Sequence, residues 1–469
     1  MSYYTRTQGQ PSPGSAFKHR PRNSHVTDYM EHPSVRGPAG SLVAAGVTSR
    51  PAETGDDRDF GRYLAQPPAL VAMPQSVDEL ARAMGALFAQ QIPYVLRAAA
   101  HSSGGQTLTP SVQIATAGVA GIVARDDAAG WIDVLGGTRW LDVADVLRPG
   151  RRPVSLTDNL ATTVGGTLGV GGVGDRAWID GLQLASVLEA EWIAPDGTRR
   201  VVTRADPELG FLLGGRGQLG AFGRVRLATI ARSPFLAGHI AAWDSIAAYA
   251  SAVAQLARQQ TYEVMRATVF WRRTGAINVR AILASFVEPG APPPALDEAR
   301  LHALRPFTGD VIEPGDRHEV AAQPRTWSYA CPALELALPW DQAGLDALHE
   351  VLAAVDAAGL RPHLPDGMAL AVTRIVPGLP LAPTPGAAAA CCFLAIRPQL
   401  TTGEAARACV PALRAIADLA LDRGGKLYLM GLESERADFL DRQFGAALAP
   451  WRALKDQLDP ARLCNRWKL

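Results

Sequence analysis

The chain has 469 residues, a formal net charge of +1, 48% hydrophobic residues and 19% charged residues. This composition is that of an ordinary globular protein, and the near-zero charge excludes a broad basic surface for nucleic acid or an anionic membrane. No apolar run approaches the roughly 18 residues that span a bilayer, and the N-terminus lacks the apolar segment of a signal peptide. We therefore expect a cytoplasmic protein without nucleic-acid or membrane partners.

The first third of the chain is predicted to pass from a loose arm into alternating helices and strands. Residues 1–40 are rich in Pro, Ser, Gly and Arg, which favours a flexible N-terminal arm. Order is expected from about residue 69, where Ser76 and Glu79 form a capping-box pattern ahead of an amphipathic helix. The strand IPYVLR then leads into the small residues of RAAAHSSGGQ, which end at Gln106.

The remainder predicts an α+β protein of two domains. WIDVLGGTRW and LEAEWIAPDGTRRVVT have the alternation and turn residues of strands. From residue 235, helices such as GLDALHEVLAAVDAAG alternate with strands such as AAAACCFLAI, and KLYLMGLE is predicted to be a strand before two short closing helices. We expect a first domain over 41–234, a second over 235–423 and a C-terminal part over 424–469.

Two glycine motifs match the dinucleotide fingerprint G-x-G-x-x-G, at 169–174 and at 215–220. Such a site needs a strand before the glycines and a helix after them. The first motif has neither, and the second precedes AFGRVRLATIA, which alternates as a strand does. We therefore exclude a nicotinamide-binding Rossmann fold, and the glycines indicate loops whose amides hold the phosphates of a large cofactor.

Other catalytic signatures are absent from the sequence. It contains no GxSxG elbow, no phosphate-binding GxxxxGK[ST] loop and no HExxH pair. The five cysteines form no CxxC pair and have no histidine partner at metal-ligand spacing, so we expect reduced thiols and no metal site.

Several motifs, in order, resemble those of the FAD-linked oxidases of the vanillyl-alcohol-oxidase superfamily. RAAAHS at 97–102 stands where that family has Arg-Gly-Gly-Gly-His-Ser. SLTDNLATTVGGTL, LLGGRGQLGAFGRVRLA, GGKLYLMG and LDPARLCNRWK are most similar to the cytokinin dehydrogenase subgroup. The resemblance implies a bacterial-type member with two domains. Residues 41–234 and 424–469 would bind FAD, and an antiparallel-sheet domain with helices over 235–423 would cap it and bind substrate.

The resemblance also implies how the cofactor is held. His101 would bond covalently to the flavin; a purely structural loop histidine is the alternative. Ala98, Ala99 and Ala100 replace the usual glycines, so any of them that needs a positive φ would be strained. A second, cysteinyl link is not expected, because Ala161 stands at that position. The resemblance implies cofactor contacts for Arg97, Ala98, Ala99, Ala100, His101, Ser102, Gln106, Thr157, Asp158, Thr163, Gly165, Gly166, Gly169, Val173, Gly220, Ala221, Phe222, Tyr428 and Asn465.

The expected activity is oxidation of an amine or an alcohol in a small molecule. Asp158 matches the aspartate that takes the substrate proton in cytokinin dehydrogenases, although LTDNL alone also suits a helix cap or Asx-turn. Arg266 stands where the plant enzymes carry an acidic residue, which predicts a polar or anionic substrate of secondary metabolism instead of a cytokinin. The alternative is a flavoprotein of this fold whose FAD is structural, with the pocket performing a non-redox cyclisation or binding a ligand.

Overall fold

The structure is a computed structural model that describes residues 37–465 except 149, 234, 260–261, 293, 295–302, 311–328 and 387. Most of the predicted arm, residues 1–36, lies outside the described residues, and its last residues, from Pro38, begin helix α1. The helices are α1 Pro38–Ala44, α2 Val77–Ala89, α3 Trp140–Leu147, α4 Val164–Leu168, α5 Ala177–Asp180, α6 Pro207–Leu212, α7 Ile246–Gln259, α8 Gln342–Ala357, α9 Gly403–Asp422, α10 Phe439–Phe444 and α11 Leu448–Leu458.

The strands form three sheets, which together with the helices give the predicted α+β class. No described helix is long and apolar enough to cross a membrane. The strands are β1 Ser49–Arg50, β2 Leu70–Ala72, β3 Tyr94–Arg97, β4 Val112–Ala115, β5 Ile122–Asp126, β6 Trp131–Leu135, β7 Arg151–Pro153, β8 Val187–Ile193, β9 Arg199–Thr203, β10 Ala221–Ala231, β11 Phe235–Trp243, β12 Val264–Trp271, β13 Ile277–Phe286, β14 Ala303–Asp310, β15 Leu334–Pro339, β16 Met368–Arg374, β17 Ala390–Ile396 and β18 Lys426–Leu427.

The three sheets differ in strand direction. The first has the order β1-β2-β4-β3, and its β2, β4 and β3 are parallel. The second has the order β5-β6-β10-β8-β9, with β7 also paired to β10, and is antiparallel. The third is an eight-stranded antiparallel sheet, β14-β11-β13-β12-β16-β17-β15-β18, against which α7, α8 and α9 pack. We call this third sheet the large sheet.

Local sequence signals explain helix α2, which connects the parallel strands β2 and β3. The Ser76 hydroxyl accepts the N–H of Glu79 at 3.1 Å, and the Glu79 carboxylate accepts the N–H of Gln75 at 2.8 Å. The first bond satisfies an amide that the first turn of a helix leaves unpaired, and the second holds the residue that precedes the cap. Leu80 and Met84 on one face of α2 are fully buried, so the predicted cap and helical period are both confirmed.

The predicted strand KLYLMGLE is mostly wrong, because only Lys426 and Leu427 pair with β15. The chain turns after Tyr428 and brings Gly431 against Ala333; a Cβ at Gly431 would lie 2.4 Å from the Ala333 carbonyl oxygen. The alternating residues alone could not show this turn, since it is imposed by the neighbouring segment.

The C-terminus returns to the first sheet through a buried charge pair. The Lys455 ammonium donates to Asp459 at 2.7 Å, to the Gln218 carbonyl at 2.6 Å and to the Cys464 carbonyl at 3.0 Å. Cys464 then forms a parallel bridge with Tyr94 in β3. A buried lysine is tolerated when its donors are paired, as they are here.

The loop between β3 and β4 is held from two directions. The Phe60 N–H donates to the carbonyl oxygens of Ala100 at 2.9 Å and Ser102 at 3.0 Å. On the other side, the Gln106 amide donates to the Gly431 carbonyl at 2.7 Å. We call residues 98–106 the alanine–histidine loop; its course is fixed by contacts with segments distant in sequence.

Ala100 adopts φ +58°, the left-handed conformation that favours glycine. It is also buried, so the strain anticipated for the three alanines falls on this one position. Ala98 and Ala99 are not among the non-glycine residues with positive φ.

Ala100→Gly is expected to stabilise the protein by up to about 1 kcal/mol. It relieves about 1–2 kcal/mol of left-handed strain, which is partly offset by the greater entropy of glycine in the unfolded chain. The matched control Ala99→Gly, with no strain to relieve, is expected to destabilise by about 0.5 kcal/mol. Urea unfolding of the three proteins checks this, and a destabilised Ala100→Gly protein would contradict it.

Asp59 ties the same loop to the preceding segment at a pH-dependent cost. Its carboxylate accepts the N–H of Gly105 at 2.7 Å and that of Gly61 at 3.0 Å, and the side chain is buried. Burial raises the pKa of Asp59 to about 6, against the opposing effect of those bonds and of Arg97. Between about pH 4 and 6 the folded protein therefore holds a proton that the unfolded chain has released.

The free energy of unfolding is accordingly expected to fall by roughly 2 kcal/mol as pH rises from 4 to 6, because the folded protein holds this proton and the unfolded chain does not. The difference in unfolding free energy between the wild type and Asp59→Asn, whose side chain does not titrate, isolates the effect. A difference independent of pH over this interval would show that the Asp59 carboxyl has an ordinary pKa.

Candidate active site

A cavity of about 500 Å³ lies between the alanine–histidine loop and the large sheet. This volume is within the range of small-molecule and cofactor sites. All the predicted site residues except Arg97 line the cavity, although they are far apart in the sequence. They are Ala98, Ala99, Ala100, His101, Ser102, Gln106, Thr157, Asp158, Thr163, Gly165, Gly166, Gly169, Val173, Gly220, Ala221, Phe222, Arg266, Tyr428 and Asn465.

Arg97 is the exception: it is not among the residues that line the cavity, and the cofactor contact predicted for it stays a prediction. Its buried guanidinium donates to the carbonyl oxygens of Gly55 at 2.8 Å and Arg58 at 2.6 Å. Burial lowers the pKa of Arg97, while the nearby acidic residue Asp59 raises it. The side chain therefore fixes the 55–58 segment beneath the loop and does not face the cavity.

The alanine–histidine loop presents amide groups to the cavity. Within the described part of the chain, the N–H groups of Ala98, Ala99, Ala100 and Ser102 donate to no other protein atom. Successive unpaired amides in a small-residue loop form a concave site for anions such as a pyrophosphate. The donor set therefore fits the FAD that the sequence motifs imply.

The glycines at 165–169 serve a different purpose, because the amides there are already used. The Thr163 hydroxyl caps α4 by accepting the N–H of Gly166 at 3.2 Å, and the Gly165 N–H donates to Gly136 at 2.8 Å. A Cβ at Gly165 would lie 2.9 Å from the Gly136 carbonyl oxygen. These residues bring backbone close to backbone in the cavity wall, and α4 offers no free amides to a phosphate.

Gly220 is required by its own backbone. Its φ is +116°, and a Cβ there would come within 2.0 Å of the Ile193 carbonyl oxygen. The second glycine motif therefore leads directly into β10, in agreement with the predicted strand and against a dinucleotide-binding helix.

His101 is oriented by two side chains that are not among the predicted cofactor contacts. Asn159 Nδ2 lies 3.3 Å from His101 Nδ1, so the amide donates to that ring nitrogen in the neutral imidazole. The ring of Phe60 stacks on the imidazole with centroids 5.7 Å apart. Asn159 is the neighbour of Asp158, so the TDNL motif contributes both a carboxylate and a histidine partner.

The turn that carries Asp158 is held by a buried ion pair. Asp175 accepts the N–H of Leu156 at 3.1 Å and also pairs with the Arg152 guanidinium, both side chains being about 5% exposed. The Asp175 N–H in turn donates to the Leu156 carbonyl at 2.8 Å. These contacts fix the backbone two residues before Asp158, so the carboxylate projects from a rigid turn.

Asp158 meets Arg266 across the cavity in an ion pair. The side chain of Asp158 is 65% exposed within the cavity, and desolvation by the cavity walls raises the pKa of the carboxyl. Arg266 opposes the rise and Asp175 adds to it. Because so much of the carboxyl faces the cavity, a ligand that excluded solvent there would raise this pKa further.

Tyr428 and Asn465 join the cavity wall to its surroundings. The Tyr428 hydroxyl accepts the N–H of Gly172 at 3.0 Å, and burial raises its pKa. The Asn465 side chain accepts the N–H of Leu96 at 2.7 Å and donates to the Arg216 carbonyl at 3.1 Å. The Asn465 amide thus links β3 to the second glycine motif, a role that its place in the motif did not suggest.

The wall opposite the loop is a polar face of the large sheet that sequence reasoning mostly missed. Besides Arg266 it includes the ion pair of Arg397 with Glu335 and the hydrogen bond from Gln399 to Asp366. The one available signal was that Arg397 is the first charged residue after the buried run AAAACCFLAI. Among the described residues, no three His, Cys, Asp or Glu side chains come together as a metal-binding group.

Comparison with known proteins supports the same assignment. Residues 68–203 match the family model described as an FAD binding domain. The chain is 35% identical over 207 residues to cytokinin dehydrogenase 7 of Oryza sativa subsp. japonica, covering 41% of this chain and 39% of the relative. It is 33% identical over 175 residues to cytokinin dehydrogenase 2 of Arabidopsis thaliana, covering 36% and 35%.

The chain spans about two fifths of the length of these relatives. The residues matched by the family model, 68–203, contain the alanine–histidine loop and Asp158. The resemblance read from the motifs is thereby confirmed: the chain is similar to FAD-linked oxidases of the vanillyl-alcohol-oxidase superfamily, and within them to the cytokinin dehydrogenases.

Proposed function

We propose that this protein is an FAD-dependent oxidoreductase that oxidises an amine or an alcohol of a small molecule. One observation carries the proposal: the amides of the alanine–histidine loop and the Asp158 carboxylate line the same cavity, joined through the contact between Asn159 and His101. A cofactor site and a potential base are thus within one chamber, as the oxidation requires.

The bound FAD would accept the hydride that leaves the substrate carbon. The chain itself would supply the rest. The amides of Ala98, Ala99, Ala100 and Ser102 would hold the cofactor pyrophosphate. Gly166, Gly169 and Phe222 would lie against its remaining length. Asp158 would take the proton of the substrate N–H or O–H group. A carboxyl whose pKa is raised by burial is a stronger base, which suits this role near neutral pH.

The substrate of this chain is proposed to differ from a cytokinin. The strand β12 places the positive side chain of Arg266 beside Asp158, so one side of the pocket carries a guanidinium. A guanidinium has only hydrogen-bond donors, so this side chain does not recognise the N–H groups of a purine. A polar or anionic metabolite of secondary metabolism is the substrate class that we propose.

The alternative of a structural FAD with non-redox chemistry makes an opposite prediction for the flavin. Anaerobic incubation with a substrate bleaches a flavin that accepts its hydride and leaves a structural flavin yellow. The presence of Asp158 beside the cofactor loop favours bleaching.

Asp158→Asn is expected to lower the rate of anaerobic flavin reduction by about 10² to 10⁴, because the substrate proton loses its acceptor. Flavin content should be unchanged, since the 98–102 amides are untouched. Asp142→Asn, at an exposed position of α3 that does not line the cavity, serves as control. A reduction rate equal to that of the wild type would remove Asp158 from the mechanism.

Flavin attached covalently through His101 is expected to remain with the protein after acid precipitation. His101→Ala should release the yellow colour into the supernatant, whereas the exposed His349→Ala on α8 should not. Wild-type protein whose flavin is released by acid would show that His101 holds it by contact alone, in which case its role is structural.

A further inference from the structure

The cavity floor is a row of small side chains on one face of the large sheet. Thr268 of β12 pairs with Ala369 of β16, which pairs with Ala395 of β17. Ala371 occupies the neighbouring row of the same face, and all four residues line the cavity. Small residues across three adjacent strands leave room above the sheet for a ligand, so we call Thr268, Ala369, Ala371 and Ala395 the alanine floor.

A charged pair stands at each end of this floor. At one end Arg266 contacts Asp158, and at the other Arg397 contacts Glu335. Arg397 lies two strands across from Arg266 and about four residues further along, so their Cα atoms are roughly 16 Å apart by the ordinary spacings of a sheet. The two guanidinium groups can therefore approach opposite ends of one small molecule.

The Arg266 end is already engaged. Its guanidinium pairs with the carboxylate that would take the substrate proton, and its side chain is 25% exposed. A substrate anion placed there would compete with Asp158 for the same cation. Arg266 is therefore better suited to positioning Asp158 than to binding an anion.

The Arg397 end is arranged differently. Nε and Nη2 of Arg397 approach the same Glu335 oxygen, at 2.7 and 2.5 Å. The Glu335 side chain is 9% exposed, whereas that of Arg397 is 41% exposed. The carboxylate thus anchors the guanidinium from below while the positive group faces the cavity. Its charge reaches across the cavity, since Arg397 makes a small contribution that opposes the burial-driven rise in the pKa of both Asp158 and Tyr428.

We propose that Arg397, and not Arg266, binds an anionic group of the substrate, a carboxylate for which the guanidinium fork is complementary. The substrate lies over the alanine floor with its reacting C–N or C–O end at Asp158. The identity of the reacting end rests on the proposed function, whereas carboxylate binding at Arg397 does not. The Arg397 side chain therefore selects the substrate, while Arg266 keeps Asp158 in place.

The test uses the purified holoprotein and pairs of small probes that differ only in charge. Acetate, benzoate and succinate are titrated against acetamide, benzamide and succinamide by calorimetry, with the flavin spectrum recorded in parallel. The wild type should bind at least one carboxylate more tightly than its amide. Arg397→Gln should raise the dissociation constant of that carboxylate by about tenfold or more and leave amide binding unchanged.

Two further variants keep the result interpretable. Removing Arg397 alone leaves Glu335 buried without this partner, so the double variant Glu335→Gln/Arg397→Gln is measured as well and should show the same loss. Arg280→Gln, an exposed arginine of β13 that stacks on Phe270 away from the cavity, should bind carboxylates as the wild type does.

Several outcomes would overturn the proposal. One is that no carboxylate binds the wild type more tightly than its amide; another is that the Arg397 variants retain carboxylate affinity. A third is that these variants lose flavin instead, which would assign Arg397 to the cofactor. If carboxylate binding depends on Arg397 but no amine or alcohol ever bleaches the flavin, the proposed function fails and the anion site stands.

Discussion

The ion pair between Asp158 and Arg266 connects the two halves of the cavity, and the arrangement of the site depends on it. Asp158 belongs to a turn fixed by Asp175 and Arg152, whereas Arg266 projects from the middle of the large sheet. The Asp158 carboxylate and the Arg266 guanidinium can pair only because the large sheet lies close to the turn that carries Asp158. A charge pair facing a protein-walled chamber is stronger than one on the surface, because less water screens it.

Further charged contacts hold the same two parts together near this pair. Arg176 pairs with Glu263, which precedes β12 and also accepts from Arg232 at 3.0 Å. Arg374, at the end of β16, donates to the Ile179 carbonyl at 3.3 Å. Such contacts are directional, so they set the position of the large sheet relative to the 154–180 segment more closely than apolar packing would.

The alanine–histidine loop shows how much of a backbone conformation can be imposed from outside. Ala100 accepts a left-handed φ because Phe60 binds the carbonyl oxygens on both sides of His101 and Asp59 binds Gly105. The strain is retained in the part of the loop where, among the described residues, the N–H groups of Ala98, Ala99, Ala100 and Ser102 have no other protein acceptor. Strained backbone held by its surroundings is common at binding sites, and here it coincides with the donors that suit a pyrophosphate.

Local sequence by itself determined the elements whose signals are short-range: the capped helix α2, the strand after the second glycine motif and the α+β alternation. The order of the motifs also identified most of the cavity residues, because a motif shows which positions of the chain belong to a site. It does not show how far apart those residues lie in space. Only the tertiary structure decided that Arg97 supports a loop, that β18 ends at Leu427 and that Arg266 pairs with Asp158. Those outcomes depend on contacts between segments far apart in the chain, for which residue spacing carries no signal.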